Sequence, residues 1–147
     1  MKREIWLVAG IVVTLLYIVF GTHLYEAMYY EREFSNEMFN ENLYFLTSLI
    51  TAGMAWGVSA VYYYAINSVR FSRWYHWLVM LGIMAVATPI INYIHQSGVF
   101  SRLGYDFSAQ MFFFSLVDFA VSVVMFVVAS FSMRWWSTNC RHTPIPE

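Results

Sequence analysis

The sequence predicts an all-α, polytopic integral membrane protein with four transmembrane helices, organised as a single domain over residues 1–147. Of these residues, 60% are apolar and 12% are charged, whereas an ordinary soluble domain has about 45–50% and about 25%. The charges fall in clusters, and they leave four long blocks with at most one Asp, Glu, Lys or Arg each. About 20 apolar residues are enough to cross a bilayer as a helix.

Blocks of this length form helices rather than strands, because backbone polar groups in hydrocarbon must pair within the segment. A transmembrane β-barrel would instead need segments of about 10 residues with alternating polarity. We expect helices near residues 4–25, 43–67, 74–97 and 108–134, followed by an extended tail over 135–147, where two prolines oppose a helix. The first connection is long enough for a short helix, capped by Ser35 or Asn36. Gly98 and Gly104 predict a plain turn before the fourth helix.

The orientation follows from the positions of Lys and Arg in the short loops. One side of the predicted membrane has Lys2, Arg3, Arg70, Arg73, Arg134 and Arg141, whereas the other has Arg32 and Arg102. Because cytoplasmic loops carry the excess of positive charge, both termini are predicted to be cytoplasmic (N-in/C-in) in a cell (inner) membrane.

Several function classes are excluded by what the chain lacks. A single cysteine excludes an intramolecular disulfide and an all-cysteine metal site. The sequence contains no His-Glu-x-x-His motif and no Gly-rich phosphate loop. An intramembrane aspartyl protease would need two carboxylates that share a proton. The sequence therefore predicts no enzyme, and the net charge of −1 gives no indication of nucleic-acid binding.

Asp118 is the one Asp, Glu, Lys or Arg residue inside the four blocks. A charged aspartate at the centre of a membrane helix costs roughly 2.5–3.5 kcal/mol, so this side chain must be neutral, paired or in contact with water. The residues predicted to lie at a similar depth are Tyr17, Thr47, Thr51, Thr88 and Asn92. Those predicted to share its helix face are Ser115, Ser122 and Ala129. Two interpretations are open: a proton or cation site, or a neutral acid that joins helices through hydrogen bonds to Thr51 or Asn92.

Small residues form a stripe on the second predicted helix, at Gly53, Gly57 and Ala60. Such stripes let two helix backbones approach closely. Packing within the four helices is the favoured interpretation, and a contact between copies of the chain is the alternative.

Pro89 is predicted to bend the third helix, because proline lacks an N–H group and clashes with the carbonyl of Ala85. We expect Thr88 or a neighbouring helix to donate a hydrogen bond to that carbonyl. A bend at this depth is typical of a helix beside a cavity.

His23 and His95 are the only candidates for a haem or metal ligand, because both fall near the outer ends of outward-running helices. Histidines at a membrane interface usually hydrogen-bond water and headgroups, so no cofactor is predicted.

The function that these features favour is a small membrane subunit that contacts the lipid bilayer and assembles with itself or with other membrane proteins. A pore-forming assembly belongs to this class. The alternative is a minimal proton- or cation-conducting transporter unit that uses Asp118. A third alternative is an immunity or accessory protein that blocks or assists another membrane protein.

Overall fold

The chain is all-helical, as predicted, in a computed structural model that describes residues 2–137 and 143. Over the described residues the α-helices are α1 (Lys2–Met28), α2 (Arg32–Asn40), α3 (Leu43–Ala60), α4 (Trp74–Leu103) and α5 (Ser108–Met133). A π-helical segment, Val61–Ile66, continues α3, and 3₁₀ turns occupy Val69–Phe71 and Arg134–Trp136. Four of these helices, α1, α3 with its continuation, α4 and α5, are long and apolar enough to cross a membrane.

The four long helices form a bundle in which α3 and α5 pack against each other at the centre. α1 packs on one side of this pair and α4 on the other. Successive long helices run in opposite directions, so the bundle has two ends. We call them the α2 end and the terminal end, where the chain begins and α5 finishes.

The end of α4 differs from the prediction. The helix continues to Leu103 rather than stopping near residue 97, and it includes Gly98. It ends at Gly104, whose φ of 83° is a left-handed conformation that glycine adopts without a Cβ clash. The N–H of Tyr105 then donates to the carbonyl of Phe100 at 2.9 Å. The expectation of a plain turn that includes both glycines is therefore wrong for Gly98.

The first connection contains a helix, α2, as the sequence indicated. Its N-cap is Glu31 rather than Ser35 or Asn36, and the Glu31 carboxylate accepts the N–H of Phe34 at 2.9 Å. The hydroxyl of Ser35 accepts the N–H of Glu31 at 3.1 Å, which completes a reciprocal cap.

The buried face of α2 closes this end of the bundle, because Phe34 and Met38 have no exposed surface. The Phe34 ring lies within 6.1 Å of four other rings, those of Tyr29, Phe100, Phe107 and Phe114.

The terminal end is held by three consecutive tyrosines of the π-helical segment. Their hydroxyls donate to backbone carbonyls of three different segments: Tyr62 to Phe71, Tyr63 to Thr143 and Tyr64 to Met133. The region predicted to be extended from residue 135 thus begins with a 3₁₀ turn, and Thr143 is buried against the bundle. Residues 138–142 and 144–147 of that predicted tail lie outside the described residues.

Two glycines of α1, which the sequence had not distinguished, lie where a side chain would collide with a neighbouring helix. A Cβ atom added to Gly10 would lie 2.5 Å from the Cβ of Ser132, and one added to Gly21 would lie 3.2 Å from the Cβ of Ser48. Gly10 therefore sets how closely α1 approaches α5, and Gly21 how closely it approaches α3.

We expect Gly10→Ala to lower the free energy of unfolding by about 1–3 kcal/mol, the usual cost of overpacking. The measurement is reversible unfolding in mixed detergent micelles. Gly57→Ala is the control, because nothing lies within 4 Å of a Cβ added there. The double variant Gly10→Ala/Ser132→Gly removes the clashing Cβ and should recover part of the loss. Equal stability of Gly10→Ala and Gly57→Ala would contradict the close contact.

Candidate functional site

Asp118 of α5 lies at the centre of the bundle with none of its surface exposed. Its Oδ1 accepts hydrogen bonds from the hydroxyls of Tyr25 at 2.9 Å and Thr51 at 3.0 Å. Its Oδ2 accepts one from Nδ2 of Asn92 at 2.7 Å. The three donors come from α1, α3 and α4, so one carboxyl group joins all four long helices.

The hydrogen bonds continue beyond the carboxyl group. The hydroxyl of Tyr17 is hydrogen-bonded to that of Tyr25, and Nδ2 of Asn92 also lies 3.4 Å from Oγ1 of Thr51. We call these residues with Asp118 the Asp118 network. All of its members are neutral side chains apart from the carboxyl group itself. The four apolar blocks of the sequence also contain no Lys or Arg to pair with it.

The place of Tyr25 in this network was missed, because its sequence position indicates a residue at the membrane edge. In a helix, the Cα–Cβ bonds tilt towards the N-terminus. On α1 that direction leads from the α2 end towards the middle of the bundle, so the long Tyr25 side chain reaches Asp118. The signal in the sequence is the series Gly10, Thr14, Tyr17, Gly21 and Tyr25, which lies along one buried stripe of α1.

Thr88 and Ser122 lie one helical turn from Asn92 and Asp118 and are fully buried. Among the described residues neither hydroxyl has a hydrogen-bond partner. The expected hydrogen bond from Thr88 to the carbonyl of Ala85 is therefore not formed. α4 nevertheless continues as a helix through Pro89.

Ser115, which was predicted to share the face of Asp118, lies apart from the network. Its hydroxyl donates to the carbonyl of Met111 on its own helix, at 2.8 Å. At this level the outer surface between α4 and α5 has a groove of about 270 Å³. The groove is lined by Pro89, Ile90, Tyr93, Ile94, Phe112 and Ser115. Ser115 is thus half-buried beside this groove and is not part of the core.

The glycine stripe of α3 also faces outward. Gly53 and Gly57 are exposed, and Ala60 is half-buried at the end of the stripe. The buried face of α3 carries Thr51, Ala55 and Ser59. Gly53 and Gly57 each follow a residue of this buried face by two positions, which is a rotation of about 200° around the helix axis. They therefore point away from that face. The favoured interpretation of the stripe as packing between the four helices is therefore wrong.

The two candidate histidine ligands are both exposed, His23 on α1 and His95 on α4. These helices lie on opposite sides of the central α3–α5 pair. In the described part of the chain, no group of three or more His, Cys, Asp or Glu side chains is placed to hold a metal ion. Cys140 and His142 lie outside that part.

The fold and the Asp118 network define an all-helical protein with four helices able to cross a membrane and a buried carboxyl group at their centre. Comparison of the chain with protein families, with curated proteins and with solved structures found no match.

We expect Asp118→Leu to destabilise the bundle, because it leaves two hydroxyls and one amide without an acceptor. At about 0.6 kcal/mol for each hydrogen bond in a membrane protein, the loss is about 2 kcal/mol. Unfolding in mixed micelles measures it. Asp118→Asn keeps one acceptor oxygen and should lose less, and Phe119→Leu, on the exposed face of the same helix, is the control. A fully stable Asp118→Leu variant would show that these hydrogen bonds do not hold the helices together.

Proposed function

We propose that this chain is a four-helix membrane subunit that assembles with a second copy or with another membrane protein. We further propose that it lies in a cell membrane with both termini in the cytoplasm. The four long apolar helices and the distribution of Lys and Arg between the loops support this proposal. Outward-facing apolar side chains such as Val19, Ile94 and Val124, each at least 60% exposed, are what helices in lipid present.

The observation that carries the proposal is the groove beside Gly53 and Gly57. It has a volume of about 300 Å³ and is lined by Gly53, Met54, Gly57, Val58, Val61, Met80 and Ile83, from α3 and α4. No atom lies within 4 Å of a Cβ added to either glycine. The backbone of α3 is therefore open to a second helix, and small residues at such a position permit close backbone contact in a membrane.

The groove would suit a helix with apolar side chains from a second copy of the chain or from another membrane protein. Its lining is apolar throughout, and two flexible methionines, Met54 and Met80, can adjust to the shape of a partner. α3 otherwise packs against α1, α4 and α5, so this face is where the central helix of the bundle remains uncovered.

We expect Gly53→Leu/Gly57→Leu to reduce the size of the complex in mild detergent, because two leucines fill the groove. Size-exclusion chromatography with light scattering measures the mass of the protein part. Gly82→Leu is the matched control, since Gly82 is an exposed glycine of α4 with nothing within 4 Å of an added Cβ. An unchanged mass for the double variant, or an equal loss with Gly82→Leu, would contradict assembly through this groove.

A second candidate function is a proton- or cation-conducting unit, which the Asp118 network favours. The carboxyl group is fully buried and its hydrogen-bond partners are neutral. One turn away lie hydroxyls that have no hydrogen-bond partner among residues 2–137 and 143. Ionisable residues within membrane helices commonly belong to ion or proton pathways. Four helices are few for a pathway within one chain, so this function also requires assembly.

We expect the chain in liposomes to conduct protons or Na⁺, and Asp118→Asn to reduce that flux by at least about tenfold, since it removes the one intramembrane carboxylate. A pH-sensitive or Na⁺-sensitive dye inside the vesicles reports the flux. Asp106→Asn is the matched control, because Asp106 lies in the exposed loop before α5 and interacts with Ser108. Equal flux through wild type and Asp118→Asn, at equal protein incorporation, would exclude this function.

A further inference from the structure

Three side-chain oxygens near Asp118 lack a hydrogen-bond partner in the described part of the chain. They are Oγ1 of Thr88, Oδ1 of Asn92 and Oγ of Ser122. The three residues are at most 2% exposed. Buried polar atoms are normally paired, and leaving one unpaired costs about 1–3 kcal/mol. Three such oxygens close to a buried carboxylate indicate a binding site for a ligand that is coordinated by oxygen atoms.

The helix geometry brings the hydroxyls of Thr88 and Ser122 to one side of the carboxyl group, and the amide of Asn92 lies against it. Nδ2 of Asn92 donates to Oδ2 of Asp118 at 2.7 Å, so Oδ1 of the same amide lies next to the carboxyl group. Thr88 precedes Asn92 by one turn on α4, and Ser122 follows Asp118 by one turn on α5. Because α4 and α5 are antiparallel, both hydroxyls lie on the terminal-end side of the bond between Asn92 and Asp118.

The chemistry of the donor atoms indicates which class of ligand the site would bind. A carboxylate, an amide carbonyl and hydroxyls are all oxygen donors, which suit hard cations rather than transition metals. The site has one negative charge, so a monovalent cation makes it neutral. A divalent cation would leave a net positive charge in a bundle core, where an unpaired charge is costly.

We propose that Asp118 binds one Na⁺ ion together with Thr51, Thr88, Asn92 and Ser122. Oδ1 of Asn92, which has no hydrogen-bond partner among the described residues, faces Na⁺, while Nδ2 keeps its hydrogen bond to Oδ2 of Asp118. The hydroxyl of Thr51 rotates its hydrogen away and offers a lone pair. Tyr25 keeps its hydrogen bond to Oδ1 of Asp118, which holds the carboxylate in position.

This proposal identifies Na⁺ as the cation of the second candidate function, the proton- or cation-conducting unit. The physiological use of the site rests on that proposed function. It is independent of the groove beside Gly53 and Gly57. Binding is therefore tested at equilibrium, with the full chain in detergent and with no measurement of transport or of assembly.

The experiment measures Tm in NaCl and in choline chloride at equal ionic strength, over a series of Na⁺ concentrations. A ligand that binds only the folded state raises Tm with the logarithm of its concentration. We expect a rise of about 5 °C when Na⁺ reaches about 100 times its dissociation constant. Equal Tm values in the two salts would overturn the proposal.

Ser122→Ala and Thr88→Val are the decisive variants, because each removes a hydroxyl that has no hydrogen-bond partner among the described residues. Each should keep the Tm measured in choline and require about tenfold more Na⁺ for the same rise, as expected for the loss of about 1.4 kcal/mol of binding free energy. Ser115→Ala is the matched control on α5, since that hydroxyl bonds its own helix.

An unchanged Na⁺ response in both Ser122→Ala and Thr88→Val would also overturn the site. A Na⁺-dependent rise in Tm without flux would support the Na⁺ site and remove the conducting function. Flux that depends on Asp118, without a Na⁺-dependent rise, would overturn the Na⁺ site and leave proton conduction.

Discussion

The carboxyl group of Asp118 is the interaction on which the bundle depends, because it accepts hydrogen bonds from α1, α3 and α4 while it belongs to α5. Helices in a bilayer gain little from apolar contact, since lipid tails are as apolar as leucine. Specific polar contacts and close backbone packing must then select one arrangement. Here both are present: the Asp118 network at the centre, and the contacts of Gly10 and Gly21 that let α1 approach α5 and α3.

Two pairs of glycines in this chain lie in different environments, one between the helices and one on the outer surface of the bundle. Gly10 and Gly21 lie where a methyl group would collide with a serine of the next helix, whereas Gly53 and Gly57 lie beside open space. The first pair serves the fold of the monomer. In the described part of the chain nothing lies within 4 Å of a Cβ added to the second pair, and this open space is the basis on which we propose assembly.

Much of this fold could be predicted from the sequence, because charge and apolar length depend on local residues alone. The positions of α1, α3, α4 and α5 follow in this way, and so does a short helix before α3. The faces of the helices were harder to predict. A period of 3.6 residues places Ser115 on the same helix face as Ser122, yet Ser115 is half-buried and lines a groove on the outer surface between α4 and α5. The stripe of α1 that includes Tyr25 is visible in the sequence. Which helices this stripe and the glycine stripe of α3 would face is not, because that depends on which helices become neighbours.

The three tyrosines of the π-helical segment restrict how the bundle can move. Their hydroxyls hold the loop at Phe71, the tail at Thr143 and the end of α5 at Met133. A displacement of α3 along its axis would therefore strain all three hydrogen bonds together. α1 has the smallest buried share of the four long helices and touches its neighbours along one narrow stripe. Because Tyr25 on that stripe donates to Asp118, a displacement of α1 acts directly on the hydrogen bond at the centre of the bundle.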